Sequence, residues 1–152
     1  MASQSIRRQF LICALLEGFA AMLKDQGDFK DDELFMAQFK RVVAACNTAV
    51  KILRSEPNGV LSIKEIFRIK AAMVKFQQRT FARDQFRAEH PVSMAICLIT
   101  DQMAYMKPGP KRDAFERLLH EAENLLVCFD PECAYDERDG YEAACVLEEL
   151  EV

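Results

Sequence analysis

Residues 62–87 read SIKEIFRIKAAMVKFQQRTFARDQFR, and this stretch carries the clearest helix pattern in the 152-residue chain. Ser62 followed by Glu65 matches a capping box, in which each side chain accepts a hydrogen bond from the other residue's backbone N–H. An Asn-Gly pair shortly before Ser62 is a turn signal. The pattern therefore predicts a helix that begins at Ser62 and continues to about Arg87.

Apolar side chains cover about half the circumference of this predicted helix when successive residues are placed about 100° apart. They are Ile63, Ile66, Phe67, Ile69, Met73, Val74, Phe76 and Phe81. An apolar face this wide is typical of a helix that packs against two or more neighbours. The pattern therefore predicts that this helix is the centre of the fold, with Lys70 projecting into its apolar half.

Four basic side chains, those of Lys64, Arg68, Lys75 and Arg79, lie together on the opposite side of the same predicted helix, and Arg83 and Arg87 drift off that line. We call these six residues the basic ridge. A basic helix face is commonly a solvated surface. It can also contact an acidic surface, which a protein partner, a nucleic acid or the chain's own C-terminus could provide. We predict these six residues as the binding residues and leave the nature of the contact open at this point.

The remaining segments also predict helices, because helix-forming residues dominate and no run alternates β-branched with polar residues. The expected helices span 5–24, 32–54, 91–106, 111–128 and 141–150. Segment 10–23 is apolar almost all round, which is typical of a centrally packed helix. We therefore expect an all-α fold, a compact bundle of five to six helices forming a single domain over residues 1–152.

Charge is distributed unevenly along the chain, although the formal net charge is only -4. Residues 64–90 carry a net charge of +4, whereas residues 113–152 carry -11. The acidic C-terminal segment begins at about residue 129, and its field repels phosphate groups. Three roles remain open for it: a solvated tail, a binding site for a basic partner, or an occupant of the basic ridge within one chain or between two subunits.

No segment of the sequence predicts insertion into a membrane or a cleaved signal peptide. The apolar run 10–23 is interrupted by Glu17 and is shorter than the roughly 20 residues that a bilayer requires. Four of the six cysteines lie in apolar helical runs, where they behave as small buried hydrophobic residues. These are Cys13, Cys46, Cys97 and Cys128. We therefore expect a cytoplasmic protein with reduced cysteines and no membrane contact.

Two charged residues fall within apolar faces, namely Glu17 in the first predicted helix and Lys70 in the third. A charge in an apolar environment is stabilised when an opposite charge accompanies it. A buried Glu17–Lys70 ion pair is therefore a hypothesis, and a structure that keeps the two side chains apart would contradict it.

Candidate metal ligands and catalytic residues are spaced unfavourably. His120, Cys128, Cys133 and Cys145 supply zinc-type ligands, but structural zinc sites usually contain two closely spaced Cys pairs. No Glu-x-x-His pair suits a di-iron site, and the ligands of a calcium loop are absent around Gly140. His120 lies two helical turns from Cys128, too far to activate it directly. The sequence predicts no catalytic residue, no metal ligand and no cofactor.

These observations favour a non-enzymatic helical module, such as an adaptor, inhibitor or regulator, that binds a protein partner through charged surfaces. A basic ridge and an acidic end suit electrostatically steered association. They also suit a homodimer, in which complementary patches of two copies meet. The alternative is a nucleic-acid-binding regulator that uses the basic helix around 64–87, where Arg79, Arg83 and Arg87 recur every four residues. No known DNA-binding motif surrounds these arginines.

Overall fold

The computed structural model describes residues 4–24, 31–57, 59–81 and 90–128. These ranges contain five helices and no strand: α1 (Gln4–Lys24), α2 (Glu33–Ser55), α3 (Ile63–Phe81), α4 (His90–Met103) and α5 (Pro110–Val127). The all-α prediction is confirmed for this part of the chain. The predicted sixth helix at 141–150 and the acidic segment from 129 lie outside the described residues.

The helix boundaries follow local signals in the sequence. Asp32 caps α2, because its Oδ1 accepts hydrogen bonds from the backbone N–H groups of Leu34 at 3.0 Å and Phe35 at 3.1 Å. These bonds satisfy two of the donors that a helix N-terminus leaves unpaired. Pro110 occupies the first position of α5, where its missing N–H costs nothing. The preceding Gly109 has a φ of 154°, which a residue with a Cβ rarely adopts.

Four helices enclose the hydrophobic core. α2 packs against α1 and α5, and α4 packs against α5 and α1, so the helices surround the core in the order α1, α2, α5, α4. Among the described residues, every buried apolar side chain comes from these four helices or from Met106, and Phe19, Phe35 and Phe115 are the largest of those that are fully buried. Each fully buried Val, Leu, Ile, Phe or Met side chain stabilises the fold by about 1.5–3 kcal/mol relative to leaving it exposed.

Helix α1 is buried on nearly every side. Its buried apolar residues are Ile6, Phe10, Leu11, Ile12, Cys13, Leu15, Leu16, Phe19 and Ala20. It packs against α2, α4 and α3. The prediction that the run 10–23 forms a centrally packed helix is therefore confirmed for its described residues.

The prediction that the helix after Ser62 forms the centre of the bundle is wrong. α3 packs chiefly against α1, and none of its described side chains is buried. Ile63, Phe67 and Val74 are 74%, 66% and 50% exposed. The other four helices close the core among themselves, since α1 and α4 each bury residues on nearly all sides. Only an outer surface is left for α3.

Helical spacing in the sequence predicts an apolar stripe on each of α4 and α5. The predicted residues are Met94, Ile96, Cys97, Ile99, Met103 and either Tyr105 or Met106 in α4, and Phe115, Leu118, Leu119, Ala122, Leu125 and Leu126 in α5. Both stripes are largely confirmed. In α4, Met94, Ile96 and Ile99 are buried. The sequence left open whether Tyr105 or Met106 continues this stripe, and the structure buries Met106 and leaves Tyr105 83% exposed. In α5, five of the six predicted core residues are buried, and Leu119 is half-buried. The buried five are Phe115, Leu118, Ala122, Leu125 and Leu126.

A buried polar contact joins α2 to α5. Gln38 Nε2 donates hydrogen bonds to Glu121 Oε2 at 2.7 Å and to the Glu121 backbone oxygen at 2.9 Å. The two side chains are only 8% and 9% exposed. Because a buried polar group without a partner is costly, this contact favours one alignment of the two helices. Neither residue belongs to the predicted apolar stripes, so sequence periodicity did not reveal it.

Candidate functional site

Helix α3 is held to the bundle near its N-terminus. Ser62 Oγ accepts a hydrogen bond from the Glu65 backbone N–H at 3.2 Å, as the capping box predicts. The Glu65 carboxylate pairs with Arg7 of α1, with Nη2 and Oε2 2.5 Å apart. The hydrogen bond from Arg7 lowers the pKa of Glu65 below its ordinary value, because it stabilises the charged carboxylate.

The two sides of α3 have different environments. Glu65, Ile66 and Ile69 are half-buried on the side that faces the bundle. Ile63, Phe67 and Val74 fall within about 40° of one another on the outer side, given about 100° per residue. We call these three residues the exposed apolar stripe.

The basic ridge lies beside the exposed apolar stripe. Lys64, Arg68 and Lys75 are all exposed, about 100° around the helix from the stripe. The structure places the backbone of Arg79 in α3, but the Arg79 side chain and all of Arg83 and Arg87 lie outside its description. Three of the six predicted binding residues therefore share one exposed region of α3 with large apolar side chains.

The sequence carried one signal that the stripe is exposed. Lys70 projects into the same sector as Ile63, Phe67 and Val74, and its side chain is exposed. A lysine at the centre of an apolar face costs little only where its ammonium group reaches water. Lys70 was therefore evidence for a solvent-facing surface rather than for a buried ion pair.

The hypothesis of a buried Glu17–Lys70 ion pair is contradicted. Lys70 is exposed, and these two described side chains form no ion pair with each other. They do border the same cavity, which has a volume of about 610 Å³ and lies between α1, α2 and α3. The two segments are thus near each other, as the hypothesis required, but their charges are not paired.

The cysteines of α1 and α2 meet inside the core. Cys46 Sγ donates a hydrogen bond to the backbone oxygen of Cys13 at 3.6 Å. Burial, with a smaller effect of the Glu17 charge, raises the pKa of Cys13 to about 12. Burial also raises the pKa of Cys46, so both thiols stay protonated at neutral pH and are poor nucleophiles. Cys97 and Cys128 are half-buried, so full burial is confirmed for two of the four.

Within the described ranges, no three His, Cys, Asp or Glu side chains lie close enough together to hold a metal ion. Cys133 and Cys145, two of the candidate zinc ligands, lie beyond residue 128 and so outside these ranges. No helix in the same part of the chain is long and apolar enough to cross a membrane.

Comparisons with protein-family models, with curated proteins and with solved structures found no match to this chain. Over the residues that the structure describes, the architecture is four helices around a common core, with a fifth amphipathic helix on the outside. The exposed surface of α3 and the cavity beneath it are the candidate functional sites of this part of the chain.

Proposed function

We propose that this protein is a non-enzymatic protein–protein interaction module whose partner binds the outer surface of α3. The exposed apolar stripe is the observation that carries this proposal. Large apolar side chains grouped on one exposed surface mark interaction sites in soluble proteins, because their burial against a partner is favourable. Roles as an adaptor, an inhibitor or a regulator all require this binding step.

The charges beside the stripe support a partner with acidic side chains. Lys64, Arg68 and Lys75 attract acidic groups over several ångströms and disfavour basic ones, so they add selectivity and speed to association. The anchors Ile63, Phe67 and Val74 follow helical spacing, which suits an amphipathic helix laid against α3. The partner we propose is therefore an acidic amphipathic helix.

A second copy of this chain has similar chemistry to offer. Residues 129–152 contain nine Asp and Glu and one Arg, together with several apolar residues. A homodimer in which each copy supplies this segment to the other is one form of the proposal. The buried thiols of Cys13 and Cys46 support a reducing compartment, and the cytoplasm is the one we propose.

The test compares affinity capture from the native host by three proteins. The wild type is set beside a Phe67→Glu variant and a Lys64→Glu/Lys75→Glu variant. We expect both variants to lose the same acidic partner. With that partner purified, the dissociation constant should rise by more than about tenfold, because anchor residues at interfaces commonly contribute over 1 kcal/mol.

The matched control is a Lys40→Glu/Lys51→Glu variant, which makes the same charge change at exposed positions of α2. It should keep the partner at wild-type affinity. Retention of the same partners by both α3 variants would refute the proposal. Light scattering at low and high salt then determines whether the partner is a second copy, since charge-steered association weakens with salt.

A nucleic-acid regulator acting through Arg79, Arg83 and Arg87 is the competing function. Binding to random duplex and single-stranded DNA at low salt measures it directly, because phosphate contacts depend strongly on salt. Tight DNA binding by the wild type that the Lys64→Glu/Lys75→Glu variant loses would replace the protein-partner proposal with this one. We expect no such binding.

A further inference from the structure

The cavity between α1, α2 and α3 is large and mainly apolar. Its volume of about 610 Å³ lies within the roughly 300–1,000 Å³ typical of small-molecule sites. Its apolar walls come from all three helices and from the segment before α3. They are Phe10, Ala14, Val50, Val60, Leu61, Ile66 and Ile69. Because α3 forms one wall, the cavity exists only while α3 is docked on α1.

Charged side chains border these apolar walls. Arg54 and Lys70 are exposed at the edge of the cavity, and Glu17 is half-buried. Among the described residues, none of these three charges is engaged in an ion pair. Two cations against one carboxylate leave a positive excess, so the cavity combines an apolar interior with a positive edge.

We propose that this cavity binds a single-chain amphiphile with an anionic headgroup, of the kind represented by medium-chain carboxylates. The alkyl chain lies among Phe10, Val50 and Ile69, which exclude water from it. The carboxylate pairs at the edge with Arg54, whose planar guanidinium matches two oxygens, or with Lys70. The α3 residues that form the apolar wall, Ile66 and Ile69, lie on the inner side of α3, whereas Lys70 at the edge of the cavity lies in the same sector as the exposed apolar stripe.

Titration calorimetry of the full chain with octanoate, decanoate and dodecanoate tests the proposal. We expect saturable 1:1 binding that tightens roughly fourfold for each added methylene until the cavity is filled. Dodecylamine, which has the same chain and the opposite charge, should bind at least about fivefold more weakly than dodecanoate. The proposal is overturned if no carboxylate binds saturably, or if dodecylamine binds as tightly as dodecanoate.

Charge variants locate the headgroup. Arg54→Gln and Lys70→Gln should each weaken dodecanoate binding about two- to fivefold, the range of exposed ion pairs. Glu17→Gln should tighten it by a similar factor, because it removes the opposing carboxylate. Lys51→Gln, at an exposed position of α2 that does not line the cavity, is the control and should leave the affinity unchanged. Wild-type affinity in both cation variants overturns the proposal.

Variants that fill the cavity test where the alkyl chain of the ligand lies. Ala14→Phe and Val50→Phe each add volume where an alkyl chain would lie, and either should reduce dodecanoate affinity more than tenfold. Two variants are used because added volume can destabilise a packed helix, and circular dichroism reports whether each one folds. A folded filling variant that binds dodecanoate like the wild type overturns the proposal. If neither folds, the charge variants decide the outcome.

Discussion

Glu65 links the start of α3 to α1 through a single carboxylate. The capping-box pattern pairs Glu65 with Ser62, and the structure confirms the hydrogen bond from the Glu65 backbone to Ser62 Oγ. The ion pair with Arg7 was not predicted. Arg7 and Glu65 are 58 positions apart, and no local pattern in either segment depends on the other.

We predict that this ion pair makes the protein sensitive to acid. Because the pKa of Glu65 is lowered in the folded protein, its contribution to stability is present above about pH 4.3, the ordinary glutamate value. The contribution is lost as the pH falls through the folded pKa, since the unfolded chain then binds the proton more readily. The stability difference between wild type and Glu65→Gln should therefore shrink as the solution is acidified.

Urea denaturation at several pH values between about 3 and 7 measures this difference. Glu116→Gln, at an exposed position of α5, is the matched control and should follow the wild type throughout. The prediction is contradicted if the unfolding free energies of Glu65→Gln and the wild type differ by the same amount at every pH in this range.

Gly59 lies in the connection between α2 and α3, at a position where the packing leaves no room for a side chain. Its backbone N–H donates to Glu56 O at 2.9 Å, and a Cβ built on it would lie 1.8 Å from Leu53 O. We predict that Gly59→Ala destabilises the fold by about 1–3 kcal/mol, since the backbone must shift to admit the methyl group. Val60→Ala, at the exposed neighbouring position, should change the unfolding free energy by less than about 0.5 kcal/mol. Equal effects of the two substitutions in urea denaturation would disprove the close contact.

At the scale of secondary-structure elements, the N-cap residue Asp32 sets the start of α2. The predicted start at residue 32 agrees with the observed α2 (Glu33–Ser55). The prediction succeeds because the backbone N–H groups that donate to Asp32 lie within three residues of it. We predict that Asp32→Ala costs about 1 kcal/mol in thermal or urea unfolding, the usual value of a lost N-cap. Asp31→Ala removes an equivalent exposed charge without that cap and should cost much less. Similar losses from both variants would show that charge, rather than capping, matters.

The Gln38–Glu121 contact governs how α2 meets α5. We predict that Gln38→Met destabilises by about 1–3 kcal/mol, because the buried Glu121 carboxylate loses its donor. Glu121→Met should leave the Gln38 amide short of an acceptor at a similar cost. The double variant should be less destabilised than the sum of the two, since a well-packed apolar pair removes both unsatisfied groups. A double-mutant cycle from urea denaturation measures this coupling, and strict additivity would exclude it.

At the scale of the molecule, the described residues divide into a four-helix core and an outer helix, α3. We predict that backbone amides of α3 exchange with solvent hydrogen faster than those in the middle of α1. α3 has no described buried side chain, whereas α1 is buried almost all round, so undocking α3 exposes far less apolar surface than unfolding the core. Hydrogen exchange followed by mass spectrometry resolves the two helices. Equal protection of both would mean that α3 opens only with the entire fold.

Helices α1 and α3 show that a similar apolar pattern can lead to different positions in the fold. Both carry wide apolar faces, and both were predicted to be central. The central position was confirmed for α1, because most of its described side chains are buried and none of them is exposed. The predicted central position was wrong for α3, which has a basic side and a lysine within its apolar sector. Periodicity identifies the residues that share a face, but it does not show whether a neighbour covers that face.

The chain's local chemistry was enough to predict a helical fold, the boundaries of α1, α2 and α5 to within a residue or so, and most of the buried stripes. Those features depend on side chains within one or two helical turns of each other. The outer place of α3, its ion pair with Arg7, the Gln38–Glu121 contact and the cavity beside Lys70 emerged only from the packed helices. Each depends on contacts between residues that are far apart in the sequence. Four helices that bury one another leave no interior for a fifth, so the position of α3 is decided by how the other helices pack.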